Sequence, residues 1–320
     1  MISLYKAVKE TFKDAVSTTF LLLKIMIPIS IIVKLLDEVG VVHSVGSLFT
    51  PVMSFVGLPG TTGLVWATAM ITNIYGGLVV FVSIVSMYPF SVAQVTVLAT
   101  MILIAHSLPV EVSIARRTGV RIWFILFLRI GSAFLVGILL SGFFSITGLF
   151  QESADMFWKP EIKDLSFFGW VLNQLQNYLM IFLIIFLLLG LMNLLKRLKI
   201  LDWMNHFLEP GLEHLGMSKE AAPVTMIGLT LGISYGGGII IKEILSGKIS
   251  DKDAFLSVSF LSLSHSLIED TLLMITIGAS LIGILFTRLV FTIGIMFCLL
   301  WIISHLSKKQ FQAIYQRPSE

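Results

Sequence analysis

Long apolar stretches separated by short polar connections dominate the pattern of this 320-residue chain. Several stretches reach the roughly 20 apolar residues that a helix needs to cross the hydrocarbon core of a bilayer. The pattern predicts an all-α polytopic membrane protein whose apolar stretches follow the same order in both halves. They cover 17–36, 41–56, 61–86, 91–116 and 121–144, and then 169–195, 200–215, 221–245, 253–278 and 281–305.

The two halves of the chain repeat each other at a constant offset. The sequence His106-Ser107-Leu108 returns as His265-Ser266-Leu267, which is 159 residues later. A shared offset over so long a range predicts two copies of one unit, at 17–144 and 169–305. The same offset relates Leu35 to Leu194, Pro51 to Pro210, Gly57 to Gly216, Gly119 to Gly278, and Arg129 to Arg288.

The segments outside the two units are short. In residues 1–16, Leu4, Val8 and Phe12 recur every four positions among lysines, which predicts an amphipathic helix in the headgroup plane. Residues 145–168 form a polar connection that we expect outside the cell, and 306–320 a cytoplasmic tail. No signal-peptide core with a cleavage site is visible. The single cysteine, Cys298, allows no internal disulfide.

The positions of the basic residues predict the topology. If each unit crosses the membrane five times, the units are inverted, and one orientation places the basic connections inside and the acidic 145–168 connection outside. We therefore expect ten crossings of a prokaryotic plasma membrane with both termini cytoplasmic. The polarity of 200–215 leaves a re-entrant or in-plane helix open for that stretch and for 41–56. The basic residues collected inside are Lys6, Lys9, Lys13, Arg116, Arg117, Arg121, Lys196, Arg197, Lys199, Lys242, Lys248, Lys308 and Lys309.

Composition narrows the classes of partner. Hydrophobic residues make up 56% of the chain and charged residues 13%, against roughly 25% charged in an ordinary soluble domain. The lipid bilayer is therefore the main partner, and no basic patch supports binding of nucleic acid. The sequence contains no serine-hydrolase motif, no zinc-protease motif and no phosphate-loop motif, so we expect that the protein is not an enzyme and has no cofactor.

Glycine clusters interrupt one apolar stretch in each unit. Residues 72–77 correspond, with a shift of one residue, to 232–238. Consecutive glycines weaken a helix by about 1 kcal/mol each and let a ligand approach the backbone. They also allow two membrane helices to cross closely. Matching tyrosines at both breaks favour a substrate site, with Asn73, Tyr75, Ser234 and Tyr235 as its candidate residues.

Two acid–arginine pairs lie at matching depths. Glu111 and Arg129 are each nine residues from position 120, and Asp270 and Arg288 are each nine from position 279. If the flanking helices form a hairpin, each acid shares the depth of its arginine. An unpaired arginine in a membrane helix costs about 2.5–3.5 kcal/mol. We therefore expect two structural ion pairs, with contact to a substrate as the alternative role.

His106, His265 and Glu269 remain as candidates for binding a substrate or a proton. His265 and Glu269 are four residues apart and would share one helix face, and His106 precedes Pro109, which disturbs a helix. Both histidines could simply bond to neighbouring helices. Alternatively, they converge at a pseudo-twofold axis and, with Glu269, bind substrate or carry a proton. Imidazole and carboxylate also suit a divalent transition metal, although no recognised metal spacing is present.

These features together resemble the Gate domain, or nucleoside recognition module. Its members include concentrative nucleoside transporters, the membrane part of Feo-type ferrous-iron transporters and spore maturation membrane proteins. The resemblance covers 17–144 and 169–305 and rests on the short amphipathic stretch, the glycine-broken helix and the polar helix of each unit. This sequence differs from the iron transporters in having no GTP-binding domain and no membrane cysteine except Cys298.

The resemblance implies transport across a prokaryotic plasma membrane. We expect a secondary transporter that moves a nucleoside-like molecule or a metal ion through a site between two inverted repeats. The coupling ion, a proton or sodium, stays open, as do the substrate and a homo-oligomeric state. The alternative function is a non-transporting scaffold of the spore-maturation type. An intramembrane enzyme would need a serine oxygen within hydrogen-bond reach of His265.

Overall fold

The computed structural model describes residues 4–85, 89–157 and 166–318. These residues confirm an all-α membrane protein, since they form helices and only two isolated bridge pairs. The first unit contains α1 (Leu4–Glu38), α2 (Val41–Ser54), α3 (Thr62–Ile71), α4 (Ile74–Ile84), α5 (Val92–Ile104), α6 (Leu108–Arg117), α7 (Ile122–Leu126) and α8 (Ser132–Thr147). The second contains α9 (Phe167–Arg197), α10 (Ile200–His214), α11 (Ala221–Leu231), α12 (Ile233–Leu245), α13 (Asp251–Ser264), α14 (Glu269–Ile275) and α15 (Leu281–His305), followed by α16 (Lys308–Ile314).

The first helix is longer than the sequence pattern indicates. We expected an in-plane helix over 1–16 and a separate span from residue 17. Instead α1 is one helix of 35 residues, and its apolar part, Val8–Glu38, is long enough to cross a membrane. Helix geometry does not change at residue 16 because the lysines alter only the polarity of the surface and not the backbone hydrogen bonds. The placement of the first turns in the headgroup plane stays a prediction.

The glycine-rich stretch of the first unit folds back on itself as a helical hairpin. A Cβ atom at Gly77 in α4 would lie 2.7 Å from the Cβ of Ala69 and 3.2 Å from the carbonyl oxygen of Val65, both in α3. In one straight helix, residues eight apart would be separated by about 12 Å along the axis. Helices α11 and α12 pack against each other in the same way. In the first unit the glycines form the close contact of the hairpin, whereas in the second a Cβ at Gly237 would meet Ile114 of α6.

The polar helix of each unit is broken at its His-Ser pair. Helix α5 ends before Ala105, and α6 starts after Ser107; helix α13 ends before His265, and α14 starts at Glu269. Ser107 and Ser266 both adopt the left-handed conformation, with φ angles of 47° and 46°. For a residue with a side chain this conformation costs roughly 1–3 kcal/mol, and such strain concentrates at functional sites.

The hairpins support the two breaks through backbone hydrogen bonds. The N–H of Ser107 donates to the carbonyl of Ala69, and the N–H of Leu267 donates to the carbonyl of Leu229, both at 2.9 Å. Each bond therefore joins the first arm of a hairpin to the broken helix of the same unit. Backbone groups inside a membrane need such partners because lipid cannot supply them.

The first helices of the two units run in opposite directions. The amide of Asn193 in α9 donates to the hydroxyl of Thr11 in α1 at 3.0 Å. The hydroxyl of Tyr178 donates to that of Ser30 at 2.8 Å. The late residue of α9 therefore faces the early residue of α1, and the early residue faces the late one. This antiparallel pairing is what inverted units require.

The segment after α15 closes over the turn between α6 and α7. The N–H of Arg121 donates to the carbonyl of Ile314 at 2.9 Å, and the N–H of Gln316 donates to the carbonyl of Gly119 at 2.8 Å. Gly119 has a φ of 101° and no room for a Cβ, which would lie 2.5 Å from the carbonyl oxygen of Gln316. The end of the second unit thus lies beside the turn of the first.

The segment after α8 closes over the equivalent turn of the second unit. The N–H of Phe157 donates to the carbonyl of Thr276 at 2.8 Å. A Cβ at Gly278 would lie 3.1 Å from the carbonyl oxygen of Asp155. Helix α8 therefore runs from the side of Gly119 to the side of Gly278, and α15 runs back. The last helices of the units, like the first, are antiparallel.

Fewer helices than the expected ten crossings are long enough to span a bilayer by themselves. Among the described residues, six helical segments are long and apolar enough to span a bilayer, three in each unit. The short helices α2 and α10 are 14 and 15 residues long, and the hairpins return to the side from which they start. If neither the short helix nor the hairpin of a unit adds a crossing, the number per unit is three, which is odd like the expected five. The basic connections then collect on one side, as they do with ten crossings.

The hairpin contact predicts the effect of filling Gly77. Gly77→Ala should lower the melting temperature of the detergent-solubilised protein, because overpacking a core typically costs about 1–3 kcal/mol. Gly142→Ala is the matched control, since a Cβ at that helical position meets nothing within 4 Å. Equal melting temperatures for the two variants would contradict the close approach of α3 and α4.

Candidate functional site

The equivalent histidines of the two units contact each other. His106 and His265 are 5% and 3% exposed, and their Nε2 atoms lie 3.4 Å apart. Both lie near the middle of a span, Val92–Arg117 and Asp251–Ile275 respectively. Two equivalent residues can touch only where the axis that relates their units passes between them. The histidines therefore lie where an axis that relates the two units would pass.

The helix breaks fix the orientation of both imidazole rings. The Nδ1 of His106 bonds to the carbonyl of Ile102 at 2.9 Å, and the Nδ1 of His265 bonds to the carbonyl of Leu261 at 2.8 Å. A carbonyl only accepts, so each Nδ1 carries the hydrogen. In a neutral ring the Nε2 atom is then an acceptor, and the two acceptors face each other.

Glu111 is the acid that joins the two histidines. Its Oε1 lies 3.2 Å from the Nε2 of His106 and 3.3 Å from the Nε2 of His265. Its other oxygen, Oε2, accepts from the Nη1 of Arg129. Glu111 is 4% exposed and stands in the first turn of α6, where the helix dipole favours a negative charge. A residue assigned from sequence to an ion pair is thus also the centre of the histidine cluster.

Arg129 combines an ion pair with a backbone contact. It is fully buried and lies in a π-helical turn, Phe127–Gly131, between α7 and α8. Its Nε donates to the carbonyl of Ile104 at 2.9 Å, next to the break in α5. The Glu111–Arg129 contact has the geometry that the depth argument predicts. Its role as a structural lock stays a prediction.

The expected ion pair between Asp270 and Arg288 does not form in the described structure. The Nη2 of Arg288 instead donates to the carbonyl of His265 at 2.9 Å. This carbonyl lies at the end of α13 and needs a partner because the helix does not continue. The Nε and Nη1 atoms of Arg288 are buried without a hydrogen-bond partner. Equal depth in the membrane therefore predicted the contact between Glu111 and Arg129 correctly but not the one between Asp270 and Arg288.

Asp270 faces the histidines, which corrects the expectation for Glu269. One carboxylate oxygen of Asp270 and one ring nitrogen each of His106 and His265 all lie within 4.8 Å of one another. The i,i+4 argument for Glu269 fails because the helix is broken between His265 and Glu269, so the two residues do not share a helix face. The repeat could have identified Asp270, since it is the equivalent of Glu111.

The residues expected at the glycine breaks lie at the hairpins. The Oδ1 of Asn73 accepts from the N–H of Gly76 at 2.9 Å and caps α4. Tyr75 lines a cavity of about 40 Å³ with Asn177 and Thr276, which is room for water and not for an organic solute. The side chains of Ser234 and Tyr235 lie outside the described residues.

Several hydroxyl groups of α13 and α14 are buried without a partner. They belong to Ser259, Ser262, Ser264 and Thr271. Among the described residues no serine hydroxyl hydrogen-bonds to either histidine, so the contact that an intramembrane enzyme would need is not formed there.

A larger cavity lies on the side of Gly278. It has a volume of about 490 Å³ and contains the side chains of Gln94, Ser141 and Ser145 near the start of α5. Small-molecule sites typically measure about 300–1,000 Å³. No histidine lines this cavity, which therefore is a recess of the first unit separate from the axial cluster.

The two arginines differ in what their loss should cost. Arg129→Met leaves Glu111 as a buried acid without its cation, for which roughly 3–5 kcal/mol of stability is the usual loss. Arg288→Met breaks a hydrogen bond to a carbonyl and no ion pair, so its loss should be smaller. Chemical or thermal unfolding in detergent checks the order. A larger loss for Arg288→Met would contradict the contacts described above.

Comparison with known proteins identifies the family of this chain. Residues 178–284 match the sequence profile of the Gate domain, described as nucleoside recognition. The chain is also 30% identical over 275 residues to the uncharacterized membrane protein YvoD of Bacillus subtilis strain 168. The aligned region covers 85% of this chain and 86% of that protein. No solved structure matches the chain. On this evidence the chain is a multi-pass membrane protein that belongs to the Gate, or nucleoside recognition, family.

Proposed function

We propose that this protein is a secondary transporter for a small solute. The observation that supports this proposal most directly is the contact between His106 and His265, which lie at the midpoints of two broken helices that run in opposite directions. Inverted units with unwound backbone at mid-membrane are a recurrent plan of secondary transporters, whose sites lie where the units meet. The proposed site consists of the two histidines with Glu111, Asp270, Arg129 and Arg288.

The cost of this cluster supports a role beyond packing. Ionisable groups near the bilayer centre are expensive, and they usually mark a path for a substrate or an ion. A network that served structure alone would satisfy its members. Here the Nη2 of Arg129, two nitrogens of Arg288 and the Oδ2 of Asp270 are buried without partners. Such groups are available to a bound solute.

The architecture also supports a mechanism of transport. The site lies on the axis between the units, so a rocking movement of one unit against the other would expose it to each side in turn. The sequence contains no phosphate-loop motif, and we therefore infer that a proton or sodium gradient supplies the energy. Membership of a family described as nucleoside recognition is compatible with a nucleoside-like substrate, and the imidazole–carboxylate cluster with a metal ion.

The positions of the basic residues support one orientation. With the N-terminus in the cytoplasm, three crossings per unit place Arg116, Arg117, Lys196 and Arg197 on the cytoplasmic side. The acidic connection after α8 then lies outside the cell. Both termini are cytoplasmic in this arrangement, which follows the preference of basic connections for that side.

Loss of either axial histidine should abolish transport. In proteoliposomes with an imposed proton or sodium gradient, the wild-type protein should accumulate at least one of uridine, adenosine, Mn²⁺ or Zn²⁺. His106→Asn and His265→Asn should each reduce the uptake at least about tenfold, because each removes an Nε2 atom from the site. Asparagine keeps a donor for the carbonyl that the Nδ1 atom binds.

His305→Ala is the matched control for this experiment. The Nδ1 of His305 bonds to the carbonyl of Trp301 at 2.8 Å, as in the axial histidines, but the residue is exposed. Its uptake should equal that of the wild type. Uptake that survives in both asparagine variants would contradict the axial site, and a lack of uptake for every solute class would favour the scaffold.

Cysteine labelling tests the orientation. In a Cys298→Ala background, Glu152→Cys should react with a membrane-impermeant maleimide in whole cells. Lys308→Cys should react only after permeabilisation, because the second unit ends on the cytoplasmic side. Both residues are exposed in the structure. The opposite labelling pattern would reverse the proposed orientation.

A further inference from the structure

We propose that the axial cluster binds a divalent transition-metal ion, with His106, His265, Glu111 and Asp270 as its ligands. The proposal deepens the transport function by naming the substrate class, and as a substrate assignment it rests on that function. As a statement about binding it stands on the geometry alone. Its starting point is a triangle of three side-chain atoms on the pseudo-twofold axis.

The sides of this triangle have the lengths of a metal site. The Nε2 atoms of His106 and His265 are 3.4 Å apart, and each lies 3.2–3.3 Å from the Oε1 of Glu111. A tetrahedral ion with ligands at about 2.0–2.1 Å holds those ligands about 3.3–3.4 Å apart. One ion can therefore reach all three atoms at an ordinary bond length without movement of the side chains.

The hydrogen bonds of the rings leave these three atoms in need of a cation. Both Nδ1 atoms donate to backbone carbonyls, so both neutral Nε2 atoms present lone pairs to the carboxylate of Glu111. Three acceptors at these distances repel one another unless a positive charge lies between them, either a proton on one Nε2 or a metal ion, and only the ion can bind all three. The backbone bonds are also those that orient histidine ligands, since a metal-binding histidine usually donates its other N–H to an oxygen.

Asp270 supplies the fourth ligand. A carboxylate oxygen of Asp270 lies within 4.8 Å of the two ring nitrogens, and its Oδ2 atom is buried without a hydrogen-bond partner. In the proposed site a carboxylate oxygen of Asp270 occupies the open corner of the tetrahedron, for which it must approach both ring nitrogens. Arg129 holds the second oxygen of Glu111 and so directs the first towards the ion.

The ligand set identifies the class of ion. Two imidazoles with two carboxylates suit Mn²⁺, Fe²⁺, Co²⁺ and Zn²⁺, whereas Mg²⁺ and Ca²⁺ prefer oxygen ligands alone. Arg129 and Arg288 already balance the charges of the two acids, so a divalent ion leaves an excess of positive charge in a buried region. This cost favours reversible binding, which suits a substrate more than a permanent structural ion.

Binding of Co²⁺ to the purified full chain tests the proposal. After removal of any affinity tag, wild-type protein in detergent should bind one equivalent of CoCl₂, with the visible absorption of a tetrahedral site, and MgCl₂ should not compete. His106→Asn and His265→Asn should each weaken Co²⁺ binding at least about tenfold, since even outer-shell losses cost 10–100-fold. His214→Ala and His305→Ala, which alter exposed histidines with the same local backbone bond, should bind as the wild type does.

The controls separate a lost ligand from a lost fold. Gel filtration and the melting temperature without metal show whether each variant is folded, and Asp270→Asn offers a fourth-ligand variant that keeps the contact between Glu111 and Arg129. Absence of saturable binding to the wild type, or equal binding in folded His106→Asn and His265→Asn, would overturn the metal site.

The transport assay distinguishes this inference from the proposed function. Co²⁺ binding that depends on the histidines, without uptake of uridine, adenosine, Mn²⁺ or Zn²⁺ into proteoliposomes, would support the metal site and contradict transport. Histidine-dependent uptake of uridine without any Co²⁺ binding would do the reverse. Binding and uptake of the metal, both lost in the histidine variants, would support both.

Discussion

The requirement that backbone and charged groups find partners inside a membrane governs this structure. Lipid offers no hydrogen bonds, so every break in a spanning helix leaves carbonyls that the protein itself must satisfy. At the break in α5 the carbonyl of Ile104 accepts from Arg129, and at the break in α13 the carbonyl of His265 accepts from Arg288. Each break therefore needs a buried arginine, and the arginines in turn favour the buried acids nearby.

The breaks also place the proposed chemistry on the axis. Ser107 and Ser266 interrupt the two helices in the left-handed conformation, and the helical hairpins accept hydrogen bonds from the N–H groups of Ser107 and Leu267. The histidine before each of these serines then reaches the axis with its Nε2 atom free of backbone contacts. One interruption of the helix therefore has three consequences: the hairpin supports the break, the serine is strained, and the Nε2 atom of the histidine makes no backbone contact.

The two units are alike in their histidines and turns but differ in their acids. The equivalent histidines use the same kind of bond on both sides, and the two turns at Gly119 and Gly278 are covered by equivalent segments. The acids are unequal, because Glu111 contacts both histidines and accepts a hydrogen bond from Arg129, whereas Asp270 keeps an unpartnered oxygen. In the proposed metal site, Glu111 would be the ligand held in place by Arg129 and Asp270 the ligand that moves towards the ion.

The sequence by itself determined that this protein lies in a membrane, that it contains an internal repeat, and that His106 and His265 are equivalent candidate site residues. Apolar length and a constant offset are local properties of the chain, and an offset of 159 residues already makes His106 and His265 equivalent. Only the tertiary structure decided that 61–86 folds back as a hairpin, that Glu111 joins both histidines, and that Asp270 and not Glu269 faces them. Helical spacing cannot predict these contacts because each depends on where a helix ends, and the ends are set by partners distant in the chain, such as Arg288 at the carbonyl of His265.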